Sequence, residues 1–273
     1  MDDEISFIKK RFKRLLGYKP NLENPQTFQE KLQWIKLYGN LERFAKYTDK
    51  YEVRKFIKRR IGEKYLIPLF GVYKKVDDIE FNSLPQSFIM KATHGCGWNI
   101  IVKDKSKIDW NDATEKMRNW VNSNYYQLTG QRNYKPLKGR VIIEKLLQDP
   151  SGDLKDYKFH CFHGNPLYVV VHGGRYTDRR SDVYDMNWHK LPFKFAKKKN
   201  FSRSVEKPKR FHEMVAIARK LAKDFAYVRV DLYYTNDRIY FGELTFVPTN
   251  GYTRAPLEYG KLFGSLLDLN KYV

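Results

Sequence analysis

The amino-acid sequence predicts an α+β chain whose C-terminal half is a largely antiparallel sheet. Apolar residues recur at helical spacing through residues 5–16, 28–38 and 53–61, and again over 112–121 and 212–225. The second half is instead dominated by short alternating segments joined by brief polar turns. Helices and strands do not alternate one for one, which excludes a doubly wound parallel sheet. The 273 residues are 42% apolar and 16% aromatic, enough for a substantial core and incompatible with a disordered chain.

The elements follow in order. Residues 5–16 interleave Ile5, Ile8, Phe12 and Leu15 with basic residues, the pattern of a helix that packs on its own domain or lies on an anionic membrane. Thr27-Phe-Gln-Glu30 has capping-box spacing ahead of Leu32 and Ile35, and Asp49-Lys-Tyr-Glu52 repeats that signal before Val53, with Gly62 as the stop. A further helix is expected from Asp112, with Met117, Trp120 and Val121 on one face, and another over 212–225. Strands are expected over 86–91, 99–103, 140–147, 156–162, 167–172, 227–234 and 238–246.

Lys and Arg number 52 against 31 Asp and Glu, a net charge of +21. Such a field concentrates polyanions: nucleotides, nucleic acid, anionic glycans or an anionic membrane surface. The charge is dispersed, with only short runs such as Lys197-Lys-Lys199. No segment approaches the ~18–20 apolar residues that span a bilayer. The acidic Met-Asp-Asp-Glu start lacks the layout of a secretory signal, and Cys96 and Cys161 make no disulfide framework. A cytoplasmic protein is expected, peripheral at the inner face of the membrane if the basic helix engages lipid.

The most informative segment is Tyr227-Val-Arg-Val-Asp-Leu-Tyr-Tyr234 and its continuation Arg238-Ile-Tyr-Phe-Gly-Glu-Leu-Thr-Phe246. Alternation places Arg229, Asp231 and Tyr233 on one face and Val228, Val230 and Leu232 on the other. A three-residue loop, Asn236-Asp237-Arg238, sets Asp231 opposite Glu243 and Arg229 opposite Thr245, and sorts the pair into one polar and one apolar face. Two carboxylates directly opposite one another, about 4.5–5.5 Å apart, need compensation. A hard, oxygen-ligated divalent cation such as Mg²⁺ supplies it; so does Arg229 or a nearby lysine.

A second cluster, Phe88-Ile-Met-Lys-Ala-Thr-His-Gly-Cys-Gly-Trp-Asn99, joins two strands through a loop carrying Gly95 and Gly97 beside Lys91. Glycines let backbone N–H groups converge on an anion, and Lys91 adds the point charge a phosphate needs. His160, Cys161 and His163 do not converge as zinc ligands, because His160 points away from the other two on a strand. No nucleophile elbow, D-x-D or aromatic RNA-binding motif is present. A nucleic-acid-binding role therefore rests on charge alone.

These pieces, in this order, resemble the TupA-like branch of the ATP-grasp superfamily, found in bacterial cell-surface polysaccharide gene clusters. The resemblance is carried by Asn24-Pro-x-Thr27-Phe-x-Glu30-Lys31, Asp49-Lys50-Tyr51, His94-Gly95-x-Gly97, Asp156-Tyr157-Lys158-Phe159 and Phe241-Gly-Glu-Leu-Thr-Phe246, and runs from about residue 20 to 265. It implies an ATP-grasp fold of two α+β lobes after N-terminal helices, with segments 1–45, 46–138 and 139–273.

It also implies roles. Lys91 contacts the α- and β-phosphates of ATP under the Gly95–Gly97 loop. Glu144 and the backbone of Lys145, Leu146 and Leu147 hold adenine. Lys50 and Lys158 add phosphate contacts, and Asp231 and Glu243 hold Mg²⁺. Arg229 meets the γ-phosphate or the developing acyl phosphate. Thr245 stands where the wider superfamily has Asn, a weaker third metal ligand. The implied activity is an ATP-dependent carboxylate–amine ligase working through an acyl phosphate on a surface-glycan precursor, for instance joining an amino acid to a uronic acid. The acceptor is an anionic sugar nucleotide or lipid-linked glycan. A phosphotransferase on the same fold, a glycosyltransferase of the same pathway and a basic nucleic-acid-binding protein are the alternatives. The loop 171–180, with Arg175, Arg179 and Arg180, offers bidentate donors, and Arg175 is expected to orient the anionic acceptor.

Overall fold

The computed structural model describes residues 2–175, 177–193, 195 and 199–272. Tyr176 of the 171–180 loop, and Lys197 and Lys198 of the basic run, lie outside the described residues. In chain order the elements begin with helices α1 (Asp2–Leu16), α2 (Phe28–Tyr38), α3 (Ala45–Thr48) and α4 (Val53–Arg60). Strands β1 (Leu69–Tyr73), β2 (Phe88–Ala92) and β3 (Asn99–Val102) follow, then α5 (Trp110–Val121), α6 (Tyr125–Thr129) and β4 (Val141–Lys145). The remainder comprises β5 (Asp156–Phe162), β6 (Asn165–Gly173), β7 (Arg180–Asp185), α7 (Phe211–Ala222), β8 (Tyr227–Thr235), β9 (Arg238–Thr245) and α8 (Leu257–Ser265). The chain divides into two compact units, Leu41–Gly152 on the one hand and Met1–Asn40 with Asp153–Val273 on the other.

The unit Leu41–Gly152 is built on an antiparallel sheet of order β1-β4-β2-β3. Phe88, Met90 and Ala92 alternate into a buried face, where Ala113 and Met117 of α5 pack with Val141 and Ile143. Lys91 therefore points to the other face. Helix α5 starts two residues ahead of expectation, because the Asp109 side chain accepts from Asp112 N (3.0 Å) and caps it. The second capping box does not form. Asp49 Oδ1 accepts from the backbone of Tyr51 and Glu52 (2.8 and 2.9 Å), while the Glu52 carboxylate is drawn instead to Arg140 Nη1 at 2.9 Å. The apolar edge strand β1 adds to the strands expected from the sequence, and β4 pairs between β1 and β2, which groups residues 139–152 with this sheet.

The other unit holds an antiparallel five-stranded sheet of order β7-β6-β5-β8-β9. Helix α7 covers one face, with Phe211 stacked on Phe159 at 6.0 Å and Val228, Val230 and Leu232 buried. Its Phe28 brings α2 edge-on to Tyr227 of β8 at 5.0 Å. The Thr27 capping box is formed as expected: Glu30 N donates to Thr27 Oγ1 (3.2 Å) and Thr27 N to Glu30 Oε2 (2.9 Å). The edge strand β7, Arg180-Ser-Asp-Val-Tyr-Asp185, has little apolar alternation to mark it in the sequence. Among the described residues no helix is long and apolar enough to cross a membrane.

Candidate active site

In the β8–β9 hairpin Asp231 stands opposite Glu243, Arg229 opposite Thr245 and Val230 opposite Leu244, the register expected from the polar and apolar alternation. The turn differs. It is the two-residue Asn236-Asp237, with φ of 49° and 56°, the left-handed pair that matches strand twist. A two-residue turn alone would shift the pairing by one and oppose Asp231 to Gly242. A bulge between Asp231 and Leu232 absorbs the shift, with Gly242 as the extra residue. A Cβ at Gly242 would sit 3.1 Å from the Asp231 carbonyl oxygen, so glycine suits the bulge.

Strand β5 pairs with the other side of β8, with Lys158 opposite Asp231 and His160 opposite Arg229. Two rows therefore cross three strands: Lys158–Asp231–Glu243 and His160–Arg229–Thr245. Arg229 donates from Nε to Asp231 Oδ1 and from Nη2 to Asp231 Oδ2, both 2.7 Å, and from Nη2 to Glu243 Oε1 at 2.8 Å. The same Nη2 reaches Thr245 Oγ1 at 3.0 Å, and Lys158 Nζ pairs with Asp231 Oδ2. Burial works against the Arg229 charge, but Asp231 and Glu243 outweigh it and raise its pKa. His160 is pushed well below the usual imidazole range by burial and then by the charges of Arg229, His172 and Lys158, so it is neutral. Its Nδ1 is hydrogen-bonded to Tyr227 Oη at 2.9 Å.

The carboxylate pair is thus compensated by cations in this structure. The oxygen donors of Asp231, Glu243 and Thr245 also fit Mg²⁺, which takes one or two carboxylates from a protein and completes its shell with water and phosphate oxygens. Among the described residues no cluster of three or more His, Cys, Asp or Glu gathers as an all-protein cage.

In the unit Leu41–Gly152, the buried Glu144 is clamped by Arg54 Nη1 and Lys91 Nζ, each at 2.9 Å. Lys50 Nζ contacts the Gly95 carbonyl oxygen, so it lies against the glycine loop that Lys91 precedes. Gly97 adopts φ +78°, a left-handed backbone that favours glycine. Trp98 folds back over Gly95 and meets His94 (5.3 Å) and Tyr125 (5.2 Å) edge-on. Leu146 is half-buried just beyond β4. Arg54 and Arg140 were not singled out in the sequence, because their partners Glu144 and Asp49 lie 90 and 91 positions away.

Arg175 pairs with Asp156 Oδ2, Arg179 Nε donates to the Arg175 carbonyl at 3.3 Å, and Arg180 pairs with Asp178 at 2.8 Å. Cys161 lies buried on the opposite face to His160, and His163 sits in the β5–β6 turn at φ 48°, so the three do not gather as zinc ligands.

The loop after β9 was also unforeseen. Thr249 and Asn250 adopt φ of 50° and 55°, a left-handed pair without glycine. Helix α2 holds it: the buried Gln33 and Gln29 donate from Nε2 to the carbonyl oxygens of Asn250 and Thr253, each at 3.0 Å. Lys36 Nζ in turn donates to Gln33 Oε1 at 3.1 Å. Burial, and then Arg11, push the Lys36 ammonium down from 10.5 to about 8. Below pH 8 the charge is present in folded and unfolded chains, and its burial cost is carried in full. As pH rises from 8 to 10.5 the folded form sheds the proton first, so stability should rise by up to about 3 kcal/mol relative to Lys36→Met. Chemical unfolding of both proteins across that window measures it; parallel pH profiles would show that Lys36 keeps an ordinary pKa.

A family model described as TupA-like ATPgrasp matches residues 30–268. Among solved structures, D-alanine–D-alanine ligase from Bacillus anthracis is similar at 15% identity and a TM-score of 0.47, over 88% of this chain and 71% of that one. The same enzyme complexed with ATP matches at 15% identity and 0.44, over 74% of this chain and 55% of that chain. The D-alanine–D-alanine ligase of Helicobacter pylori matches at 16% and 0.41, over 83% and 59%. The chain thus spans just over half the length of some of these enzymes. No curated protein matches it. With the family match covering nearly the whole of both units, the chain belongs to the TupA-like ATP-grasp family.

Proposed function

We propose that the protein is an ATP- and Mg²⁺-dependent carboxylate–amine ligase that modifies a cell-surface polysaccharide precursor, joining an amine such as an amino acid to a uronic acid. The observation that carries this reading is the Lys158–Asp231–Glu243 row with Arg229 bridging both carboxylates. Such a row sets carboxylates that suit a metal beside cations that suit phosphate oxygens. The net charge of +21 supports an anionic glycan acceptor and a working position near an anionic membrane.

In the reaction, a substrate carboxylate oxygen attacks the γ-phosphorus of ATP, giving an acyl phosphate and ADP. The amine then attacks the acyl carbon, the C–O bond to phosphate breaks, inorganic phosphate leaves and the nitrogen releases a proton. Asp231 and Glu243, with Thr245, would hold Mg²⁺, which when bound offsets phosphate charge. Arg229 neutralises the transferring phosphoryl group with its fixed fork, and Lys158 adds a second charge. In the unit Leu41–Gly152, Lys91, Lys50 and the Gly95–Gly97 loop bind phosphates, and Glu144 to Leu146 hold adenine. Arg175, paired with Asp156, orients the acceptor.

The test is ADP release. A ligase releases ADP with a carboxylate substrate and forms amide only when an amine is added; a stable phosphorylated sugar without amine would instead identify a phosphotransferase. Lys91→Ala should raise the KM for ATP at least ~10-fold, the loss of one charge-assisted contact to phosphate. Its melting temperature should fall little, because Glu144 keeps Arg54 as a partner. A large melting loss with unchanged KM would make Lys91 a structural partner of Glu144 only.

A further inference from the structure

Amide formation releases a proton from the amine nitrogen, and something must accept it. Asp231 and Glu243 are held by Arg229, and Asp231 also by Lys158. Carboxylates paired in this way are weak proton acceptors, because the cations favour the charged form. His160 is placed differently. It stands opposite Arg229 across the β5–β8 pair and lines a cavity of about 280 Å³ together with Leu15, Lys158, Arg229, Phe195 and Arg254.

The imidazole is fixed by its neighbours. Its ring is stacked against Tyr168 at 4.5 Å and Phe195 at 5.8 Å. Nδ1 is hydrogen-bonded to the buried Tyr227 Oη at 2.9 Å. Nε2 has no hydrogen-bond partner among the described residues, yet it is not sealed in the core, so it opens on the cavity. Buried polar atoms normally have a partner; this one is left for whatever enters. The charges set the tautomer. Arg229 and Lys158 line the same cavity, and cations favour a lone pair over an N–H facing them. Nδ1 therefore carries the proton and donates to Tyr227 Oη, and Nε2 is the acceptor. Burial, and then Arg229, His172 and Lys158, keep the ring neutral.

We propose that His160 Nε2 is the base of the amide-forming step and carries the proton from the amine to the departing phosphate. The inference rests on the ligase reading and adds a catalytic residue to it. The neutral amine attacks the acyl carbon, and its nitrogen becomes positively charged in the tetrahedral intermediate. Nε2 takes one N–H proton as that charge forms. The C–O bond to phosphate then breaks, its electrons leave on the phosphate oxygen, and the nitrogen lone pair completes the amide. The imidazolium passes its proton to that oxygen, which gives hydrogen phosphate and restores the neutral ring. This last transfer is favoured because Arg229 and Lys158 both repel an imidazolium beside them. Arg229 is also the group proposed to neutralise the transferring phosphoryl group, so base and leaving group meet at one place.

Proton–nitrogen NMR of the full chain reads the tautomer without any substrate. At neutral pH His160 should be uncharged with its proton on Nδ1; a proton on Nε2, or a charged ring, overturns the assignment. Catalysis is read with ATP, with D-glucuronate, D-galacturonate or L-glutamate as carboxylate, and with L-alanine, ethanolamine or hydroxylamine as nucleophile. Hydroxylamine attacks acyl phosphates readily without a base and gives a hydroxamate. His160→Gln should lower amide formation at least ~100-fold, the scale of losing a general base, and hydroxamate formation by less than ~10-fold. Tyr227→Phe keeps the ring but frees its tautomer, and should show the same bias with a smaller loss; it carries the test if His160→Gln does not fold. Equal losses with amine and hydroxylamine, amide formation at the wild-type rate, or a loss in His172→Gln that His160→Gln lacks would each sink this inference and leave the ligase reading standing. Wild-type protein that releases no ADP with any of the carboxylates, or forms no amide with either amine, sinks the ligase reading and this step with it.

Discussion

Asp231→Asn should cost about 3 kcal/mol of stability and remove ATP turnover, whereas Glu243→Gln should remove turnover with stability within about 1 kcal/mol of wild type. From sequence alone both changes look harmless to folding, since each relieves repulsion between facing carboxylates. The structure reverses this for Asp231. That residue is 2% exposed and takes hydrogen bonds from both Arg229 and Lys158, so its loss of charge takes the carboxylate partner from Lys158 and leaves Arg229 with Glu243 alone, both cations being largely shielded from water. Glu243 is 36% exposed at the side chain, and water can replace what it loses. Turnover should fall at least ~100-fold in each, the scale of losing one charged group that acts on the transition state. Urea unfolding and a coupled ADP assay give the two readouts. Equal stability of the two variants would mean that Asp231 does not balance the cations, and wild-type turnover in both would remove the metal assignment.

Gly251→Ala should be nearly as damaging, through the loop rather than the charges. Gly251 adopts φ +76°, where an alanine costs about 1 kcal/mol or more. Its new Cβ would also run into the Gln33 amide. Gln33 has no room to yield, being fully buried and bonded to both Asn250 and Lys36. A combined loss of about 2–4 kcal/mol is expected. Thermal melting measures the loss, and a variant that melts as the wild type does would show that the α2 glutamines do not set the loop.

Much of the candidate site could be read in the chain because its information is local. Alternation along β8 and β9 sorts polar from apolar residues, and only one register keeps the apolar set together, so Asp231 faces Glu243 whatever the turn between them. The turn is one residue shorter than that register alone requires, and the bulge at Gly242 makes up the difference. The capping box at Thr27 was legible for the same reason, since Thr27 and Glu30 are one turn apart. The box at Asp49 was not, because Arg140, 88 positions beyond Glu52, draws that carboxylate away.

The α+β class, the hairpin register, the facing carboxylates and the family motifs can all be read from local spacing in the chain. Each of these depends on residues a few positions apart, whose spacing sets which face they share. That Lys158 stands beside Asp231, that Glu144 is clamped by Arg54 and Lys91, and that Leu15, His160 and Arg254 line one cavity follows from long-range packing instead. Those partners lie from tens to more than two hundred residues apart. Which strand pairs with which, and which loop a helix supports, is settled by the total burial of a whole unit, a quantity that no short stretch of the chain contains.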